Sequence, residues 1–599
     1  MSLSSQQKMR RRKINKVGTL IWFVLDKNAK AQLITALVLV LINSFLDFIG
    51  LASIIPAVLA LKDSTTITTI APLHNIYRTL GFLSTQSFVF CLLLFVFILF
   101  VIKSIISVLI IKRNTLVISD ISKRLSRQVV SIIFSKSLTY LKDQNTSNLY
   151  RQINSYPTLF GTQILLNFLN LISEGVVIFL ILGSILFYNY QIFLIVTGLI
   201  LPIIYFFNRF YRKKIKSLSF NGNRAGIDLV KTFQNMVNGF VDIKMTNTEA
   251  FYADSLMTYT SRVNRVSAIG TVMSLLPAKV LELNAIFVLV VIYSTSFFLP
   301  VTGEQIFTVI SFFIVAAYRI MPSSNKIMQA TLTIRSNSFA LIFLYKLLKQ
   351  NEETMGKEKT AAFHREISFH SVGLQYVKNG KCVLNDFNLT LLKGEMIGVI
   401  GESGAGKSSF INLLLGFTEP TQGVIKVDDT ILTHDLFKSW RSRIGYVKQD
   451  TFLFDGTIAE NIAIGISADK IDREKVLQCL KGVKLFSLID EHKDGIDAQV
   501  GEWGGKVSGG QKQRIGIARA IYKDPDIIIF DEATSALDIT TEAEIINLIK
   551  ELKDRSRSVI IVAHRYTNLI HCDRIVKMEN GKISQHYDGY HDLLKTMKL

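Results

Sequence analysis

The chain has 599 residues, of which 49% are hydrophobic and only 19% charged, with a mean hydropathy of +0.34. That balance excludes a disordered chain and an ordinary soluble one. The net charge of +21 is uneven: residues 1–350 hold 35 Lys and Arg against 12 Asp and Glu, and residues 351–599 hold 33 against 35. The chain therefore reads as two domains, hydrophobic and basic at 1–350, near-neutral and soluble in character at 351–599. Excess positive charge suits nucleic acid or a membrane surface. Here it lies between long apolar runs, which selects the lipid bilayer and leaves no nucleic-acid partner.

In chain order, the basic start MSLSSQQKMRRRKINK lacks an immediately following signal core and cleavage site, so it is expected to be a retained cytoplasmic tail. The apolar stretch 19–25 is too short to span a bilayer and predicts an interfacial helix. Six later stretches, at 32–61, 87–111, 160–188, 191–211, 268–298 and 304–330, reach the ~20 apolar residues that a spanning helix needs. The long connections 112–159 and 212–266 are rich in Lys and Arg, whereas the short ones near 189–190 and 299–304 are poor in them. That asymmetry places both termini and both long loops in the cytoplasm. Short helices near 141–150 and 247–256 are expected to dock on the soluble part. The connection 62–86 contains PLHNIYRTLGFL, with Pro72 suited to a first helical position, Gly81 to the residue past the end, and Leu73, Ile76, Tyr77 and Leu80 on one face. It predicts a short amphipathic helix on the outer leaflet.

Asp47, Lys103, Glu174, Lys279, Glu282 and Arg319 are ionisable residues inside the apolar stretches, where charge is costly and marks function. Lys279 and Glu282, three apart on a helix, can simply pair with each other, and Lys103 can snorkel to an interface. A cavity lined by Lys103, Lys279 and Arg319 would attract phosphate or another anion. Cys91, Cys382, Cys479 and Cys572 form no CxxC pair, so reduced thiols are expected rather than a disulfide framework or a zinc site.

The soluble part is more specific. After the strand-like Met396–Ile400 comes Gly401-Glu402-Ser403-Gly404-Ala405-Gly406-Lys407-Ser408, a GxxxxGKS phosphate loop. Gly401, Ser403, Gly404 and Gly406 would let backbone N–H groups wrap the phosphates. Lys407 would reach the β- and γ-phosphates, Ser408 would ligate Mg²⁺, and Ser409 follows in a helix whose N-terminus favours the anion. A second apolar strand, Ile527–Phe530, ends in Asp531 and Glu532. Asp531 would hold Mg²⁺ through water, and Glu532 is placed to polarise an attacking water.

Between these motifs lies Val507-Ser508-Gly509-Gly510-Gln511-Lys512-Gln513-Arg514, opening the run GIARAIY. Here the chain resembles the ATP-binding cassette (ABC) transporter superfamily. The resemblance implies that Ser508, Gly509, Gly510 and Gln511 bind the γ-phosphate of ATP held by a partner subunit. It further implies that Tyr376 stacks on adenine, that Gln449 joins Ser408 and Asp531 at Mg²⁺, that Ser535–Asp538 is the D-loop, with Asp538 at the nucleotide, and that His564 contacts the γ-phosphate. Glu532, Gln449 and His564 would be the catalytic set. Val507 and Lys448 stand where the family usually has leucine and often has proline.

Phe454–Ile462 and Val500-Gly501-Glu502 are similar to two exporter segments, the stretch after the Gln-loop and the X-loop. The implied fold is a membrane α-helical domain of six transmembrane helices, exporter type, fused to an α/β P-loop ATP-binding cassette. It implies an ATP hydrolase working as a homodimer with two shared ATP sites. Leu46–Gly50 running to Pro56, LLPAKVLEL at 275–283 and AAYRIMPSSNKI at 316–327 resemble the PglK-like lipid-linked oligosaccharide flippases. That resemblance implies a bacterial inner-membrane protein moving an anionic polyprenyl-pyrophosphate-linked oligosaccharide to the outer leaflet, with Lys279, Arg319 and, by a weaker match, Lys103 facing the cavity. Other readings are a multidrug or lipid exporter, whose cavity would depend on aromatics, a peptide exporter, a cassette ATPase acting on nucleic acid, and a channel.

Overall fold

The computed structural model describes residues 17–62, 75, 77–79, 81, 82, 84–188, 190–294, 303–352, 359–376, 380–486, 489, 493–533, 539–554 and 557–597. The chain divides into two compact units, residues 1–136 with 142–354, and residues 137–141 with 355–599.

The first unit is all helix. Helix α1 (Val17–Val24) buries Ile21 and Val24 and leaves Trp22 exposed. Its Phe23 ring meets Tyr345 edge-on at 4.8 Å. Asp26 then accepts a hydrogen bond from Ala29 N–H at 2.8 Å, capping α2 (Lys27–Lys62). Helix α3 (Thr85–Ser135) is capped by Ser84, whose hydroxyl accepts from Ser87 N–H at 3.2 Å. After the short α4 (Leu138–Asp143), whose residues up to Leu141 belong to the second unit, the chain resumes helix at Thr146 and passes through two wider π segments, Arg151–Ser155 and Phe160–Leu165, into α5 (Leu166–Tyr188). Helices α6 (Tyr190–Asn238), α7 (Phe240–Thr246), α8 (Glu249–Ser294), α9 (Gly303–Ser336) and α10 (Ser338–Glu352) complete the unit.

Four helices are long and apolar enough, on their described residues, to cross a membrane: Lys27–Ile54, Thr85–Ser135, Thr146–Phe187 and Glu249–Ser294. In α3 the large side chains Phe90, Phe95, Phe97 and Ile105 are exposed. A contiguous apolar surface of that kind is stable against lipid and not against water.

One expectation about connections changes. The second short helix is not at 247–256 but at Phe240–Thr246. It stops because Asn247 takes the left-handed conformation (φ +54°), which asparagine tolerates, and α8 starts at Glu249. The N-terminal tail, and Pro72, Leu73, Ile76 and Leu80 of the expected outer helix, lie outside the described residues. Of that segment, Asn75 and Tyr77–Thr79 are helical, Gly81 has φ +66°, and Tyr77 packs on Phe82 and Phe88.

The second unit has two sheets. Strands β1 (Glu366–Leu374), β2 (Leu384–Leu392), β4 (Gln422–Val427) and β5 (Thr430–Ile431) form an antiparallel sheet in the order β2-β1-β4-β5. Strands β3 (Met396–Gly401), β6 (Ile444–Val447), β7 (Ile527–Asp531), β8 (Ser558–Val562), β9 (Arg574–Glu579) and β10 (Lys582–Tyr587) form the other, in the order β10-β9-β3-β8-β7-β6. All its pairings are parallel except β10 on β9. Successive side chains of a strand point to opposite faces, and here each face has its own core. Met396, Ile400, Ile528, Phe530, Val559 and Ile561 enter one; Ile397, Val399, Ile527, Ile529, Ile560 and Val562 enter the other. This explains the unbroken apolar runs of β3, β7 and β8.

The second core is anchored by Trp440, fully buried, with its indole N–H donating to Leu414 C=O at 2.6 Å and Phe363 edge-on at 6.1 Å. Trp440→Ala removes a large buried ring and orphans a carbonyl, and should cost about 3–5 kcal/mol. A melting temperature for the variant within one degree of wild type would contradict this.

Candidate functional site

The nucleotide candidate sits where β3 ends and helix α11 (Lys407–Leu414) begins. Gly401 packs so closely on β9 that a Cβ there would lie 2.5 Å from Met578 O. Gly406, the residue before α11, has φ +105°, which an L side chain rarely adopts. Gly404 also lies at positive φ. The loop therefore keeps its main chain close to whatever it wraps. Lys407 is buried, and its ammonium donates to Gly401 C=O at 2.6 Å and Glu402 C=O at 3.1 Å. Burial holds its pKa below the usual lysine value, against the opposing pull of Glu532 and Asp531. Ser403 and Ser408 are exposed; Ser409 is buried and shares a 3.0 Å hydrogen bond with the Tyr376 hydroxyl.

Asp531 and Glu532 emerge at the end of β7. Burial raises the Asp531 pKa, and the Glu532 charge adds to this, while the Tyr446 hydroxyl, Lys407 and Lys448 oppose it. Tyr446, on neighbouring β6, donates to Asp531 Oδ2 at 2.9 Å. Its own phenol is pushed up by burial and by that carboxylate. Glu532 is held in the left-handed region (φ +51°), a strained place for a non-glycine residue. Its carboxylate is gripped on both oxygens: Oε1 lies 2.6 Å from His564 Nε2, and Oε2 accepts from Gln449 Nε2 at 2.6 Å. Glu532, Gln449 and His564, far apart in sequence, thus meet at one carboxylate.

Ser508 caps helix α12, the fourteen residues Gly509–Tyr522, through a reciprocal pair: its hydroxyl accepts from Gln511 N–H at 3.2 Å, and its own N–H donates to the Gln511 side chain at 2.8 Å. Gly509 and Gly510 form the first turn. The two exporter-like segments are stitched together beside this helix. Val500 N–H donates to Gly456 C=O at 3.0 Å, and Arg519, from α12, donates to the carbonyls of Asn461 and Phe452 at 2.8 and 2.9 Å. Ser535–Asp538 lie outside the described residues.

The membrane-domain candidates divide. Lys103 (α3) and Arg319 (α9) come together on Asp47 (α2), at 2.7 Å from Oδ1 and 2.5 Å from Oδ2. Arg319 is also 4.0 Å from Glu174 (α5), which is itself taken by Lys326 and by the Ser323 hydroxyl, each at 2.6 Å. Lys279 does not join them. Its ammonium lies 2.9 Å from Glu282 and its side chain is 73% exposed, so of the three expected cavity cations Lys103 and Arg319 share a partner and Lys279 has its own. The i,i+3 partner on the same helix wins because it needs no tertiary contact. Lys326 and Ser323 escaped the sequence reading. Lys326 lies two helical turns beyond Arg319, and that spacing on one face was the available signal. Tyr446 was missed too; its signal is a place on the strand that ends just before Gln449.

Residues 384–535 match the ABC transporter family. Over 69% of its length the chain is 30% identical to 70% of the ATP-dependent lipid A-core flippase of Ralstonia nicotianae. The chain belongs to the ABC transporter family. A second relative, the ATP-dependent lipid A-core flippase of a Polaromonas species, is 29% identical over 75% of this chain and 76% of its own. In fold, the chain resembles the solved structure of a bacterial Atm1-family ABC exporter with ATP bound, with a TM-score of 0.76 at 22% identity over 96% of this chain and 97% of that one. This ABC transporter is an ATP-driven exporter: an exporter-type membrane domain joined to a cassette that couples ATP hydrolysis to transport.

Proposed function

We propose that two copies of this ABC exporter form a homodimer that moves an anionic polyprenyl-pyrophosphate-linked glycan to the outer leaflet of the bacterial inner membrane, with both termini and the cassettes cytoplasmic. The observation that carries the substrate class is the convergence of Lys103 and Arg319 on one carboxylate within apolar helices. Cations are retained at such a place only at considerable cost, and an anionic headgroup is the ligand they suit. The relatives' flippase names favour a lipid-anchored cargo. They also support a second reading, a lipid A-core glycolipid.

In this reading Tyr376 stacks on adenine, and Gly401–Ser409 with Lys407 cradle the phosphates. Ser508, Gly509, Gly510 and Gln511 of the other copy close over the γ-phosphate, with Asp538 at the seam. Ser408, Asp531 and Gln449 offer only oxygen donors, the set that Mg²⁺ takes. Bound there, Mg²⁺ would neutralise developing phosphate charge. Glu532 takes a proton from the attacking water, and His564 steadies the carboxylate and then the γ-phosphate. ATP binding draws two cassettes together and hydrolysis lets them part, switching the membrane domain through differential affinity.

The test is leaflet movement of a labelled polyprenyl-pyrophosphate glycan in proteoliposomes, with Glu532→Gln as the inactive control. Movement in wild type alone supports the proposal. Movement of a lipid A-core glycolipid but not of the pyrophosphate glycan would transfer the assignment to the second reading. Stimulation by apolar drugs or peptides alone would overturn both.

A further inference from the structure

The membrane cluster contains three cations, Lys103, Arg319 and Lys326, and two carboxylates, Asp47 and Glu174. Glu174 is committed to Lys326 and Ser323, so Asp47 is the close anion for both Lys103 and Arg319. Its two oxygens are divided, one to a cation of α3 and one to a cation of α9. That bridging is how an oxyanion binds between two basic residues. The match is incomplete. Three donor nitrogens meet here, Lys103 Nζ, Arg319 Nη2 and Arg319 Nε, and the last is buried with no acceptor among the described residues. A carboxylate has two oxygens; a glycan-linked pyrophosphate has four non-bridging ones, two on each phosphorus. The side chains of Asp47, Lys103 and Arg319 are 14%, 17% and 21% exposed, so the cluster is not sealed.

We propose that Asp47 is a built-in stand-in anion, seated on Lys103 and Arg319, which the phosphate headgroup of the transported lipid displaces. The inference rests on the anionic-lipid reading above and adds a selection rule to it. A neutral lipid cannot replace the lost ion pairs, so it leaves Asp47 in place. A pyrophosphate replaces both pairs and also satisfies Arg319 Nε. The released Asp47 frees α2 from α3 and α9, so headgroup recognition and helix movement become the same event.

The experiment uses the full chain in phosphatidylcholine nanodiscs and two probes, a glycan-free polyprenyl pyrophosphate and the uncharged polyprenol. Equilibrium binding and ATPase stimulation are titrated for wild type, Asp47→Asn, Asp47→Glu and Lys103→Gln/Arg319→Gln. Displacement predicts that Asp47→Asn lowers the half-saturating concentration of the pyrophosphate about tenfold, because the competing anion is gone. Asp47→Glu, which restores the charge, should return it toward wild type. The double-cation variant should raise it at least as much, and polyprenol titrations should not move. Asp47→Ser repeats the test if the asparagine variant fails to fold. Wild type preferring pyrophosphate, with an unchanged or higher half-saturating concentration in the neutral Asp47 variants, would overturn displacement while leaving the anionic-substrate reading intact. Wild type answering both probes equally, or neither, would overturn both.

Discussion

Glu532→Gln is expected to lower steady-state ATP turnover by about 10²–10⁴-fold, the usual worth of a positioned general base. ATP binding should persist. The substitution keeps the shape of the side chain and one carbonyl oxygen but removes the basicity that takes a proton from water. In barrier height the loss corresponds to about 3–5 kcal/mol. The geometry leaves little room for rescue. Glu532 stands at the end of β7 with its main-chain N–H on Val562 C=O at 3.0 Å, and its carboxylate lies 2.6 Å from both His564 and Gln449. Asp531, the adjacent acid, is engaged by Tyr446 and cannot turn into the same place. Phosphate release measured beside fluorescent-ATP binding checks both halves of the expectation. Turnover within threefold of wild type would remove Glu532 from the catalytic role.

Lys407→Ala should act earlier, on binding itself. An ammonium that donates to phosphate oxygens makes charge-assisted hydrogen bonds of about 1.5–3 kcal/mol each, so losing two should weaken ATP affinity by about 10²–10⁴-fold. The lysine is already aimed and desolvated: buried, and held on the carbonyls of Gly401 and Glu402. Part of the cost of burying the charge is thus met by folding rather than by ATP. Calorimetric titration with Mg–ATP reads the effect directly. Retention of wild-type affinity would mean that the loop N–H groups alone bind the phosphates. The two substitutions should also differ in kind, with turnover lost and binding kept in the first, and both lost in the second.

The nucleotide candidate was largely legible because its parts are local. The phosphate loop, the cap at Ser508 and the acids ending β7 are each set within one short segment, so spacing alone places side chains relative to backbone. Ser535–Asp538 were equally visible as a motif, though they lie outside the described residues. The membrane cluster is the opposite case. Asp47, Lys103, Glu174 and Arg319 come from four helices, and nothing in their spacing says which will meet. Charge inside an apolar stretch flagged each of them singly, yet partner choice depends on helix rotation, which lipid-facing sequence specifies weakly. Lys279 stands apart for the converse reason: its partner Glu282 was visible on the same helix, and that local pairing prevailed. The short helix moved to Phe240–Thr246 because Asn247, rather than a glycine or proline, ends it.

The alternation of β7 between two cores has a consequence for how the chemistry is held in place. Ile527 and Ile529 go to one side of the sheet, Ile528 and Phe530 to the other, and Asp531 and Glu532 follow without a break. Deleting a single residue from this run would turn every side chain before the gap to the wrong face, unless the acids moved instead. Neither shift is cheap: one buries the wrong shapes in two packed interiors, and the other carries the carboxylates one strand step, about 3.3 Å, away from Gln449 and His564. The oily residues of the strand therefore work as a ruler for the acids at its end. Evolution can exchange one isoleucine for another aliphatic there with little effect on hydrolysis, but it cannot change the count.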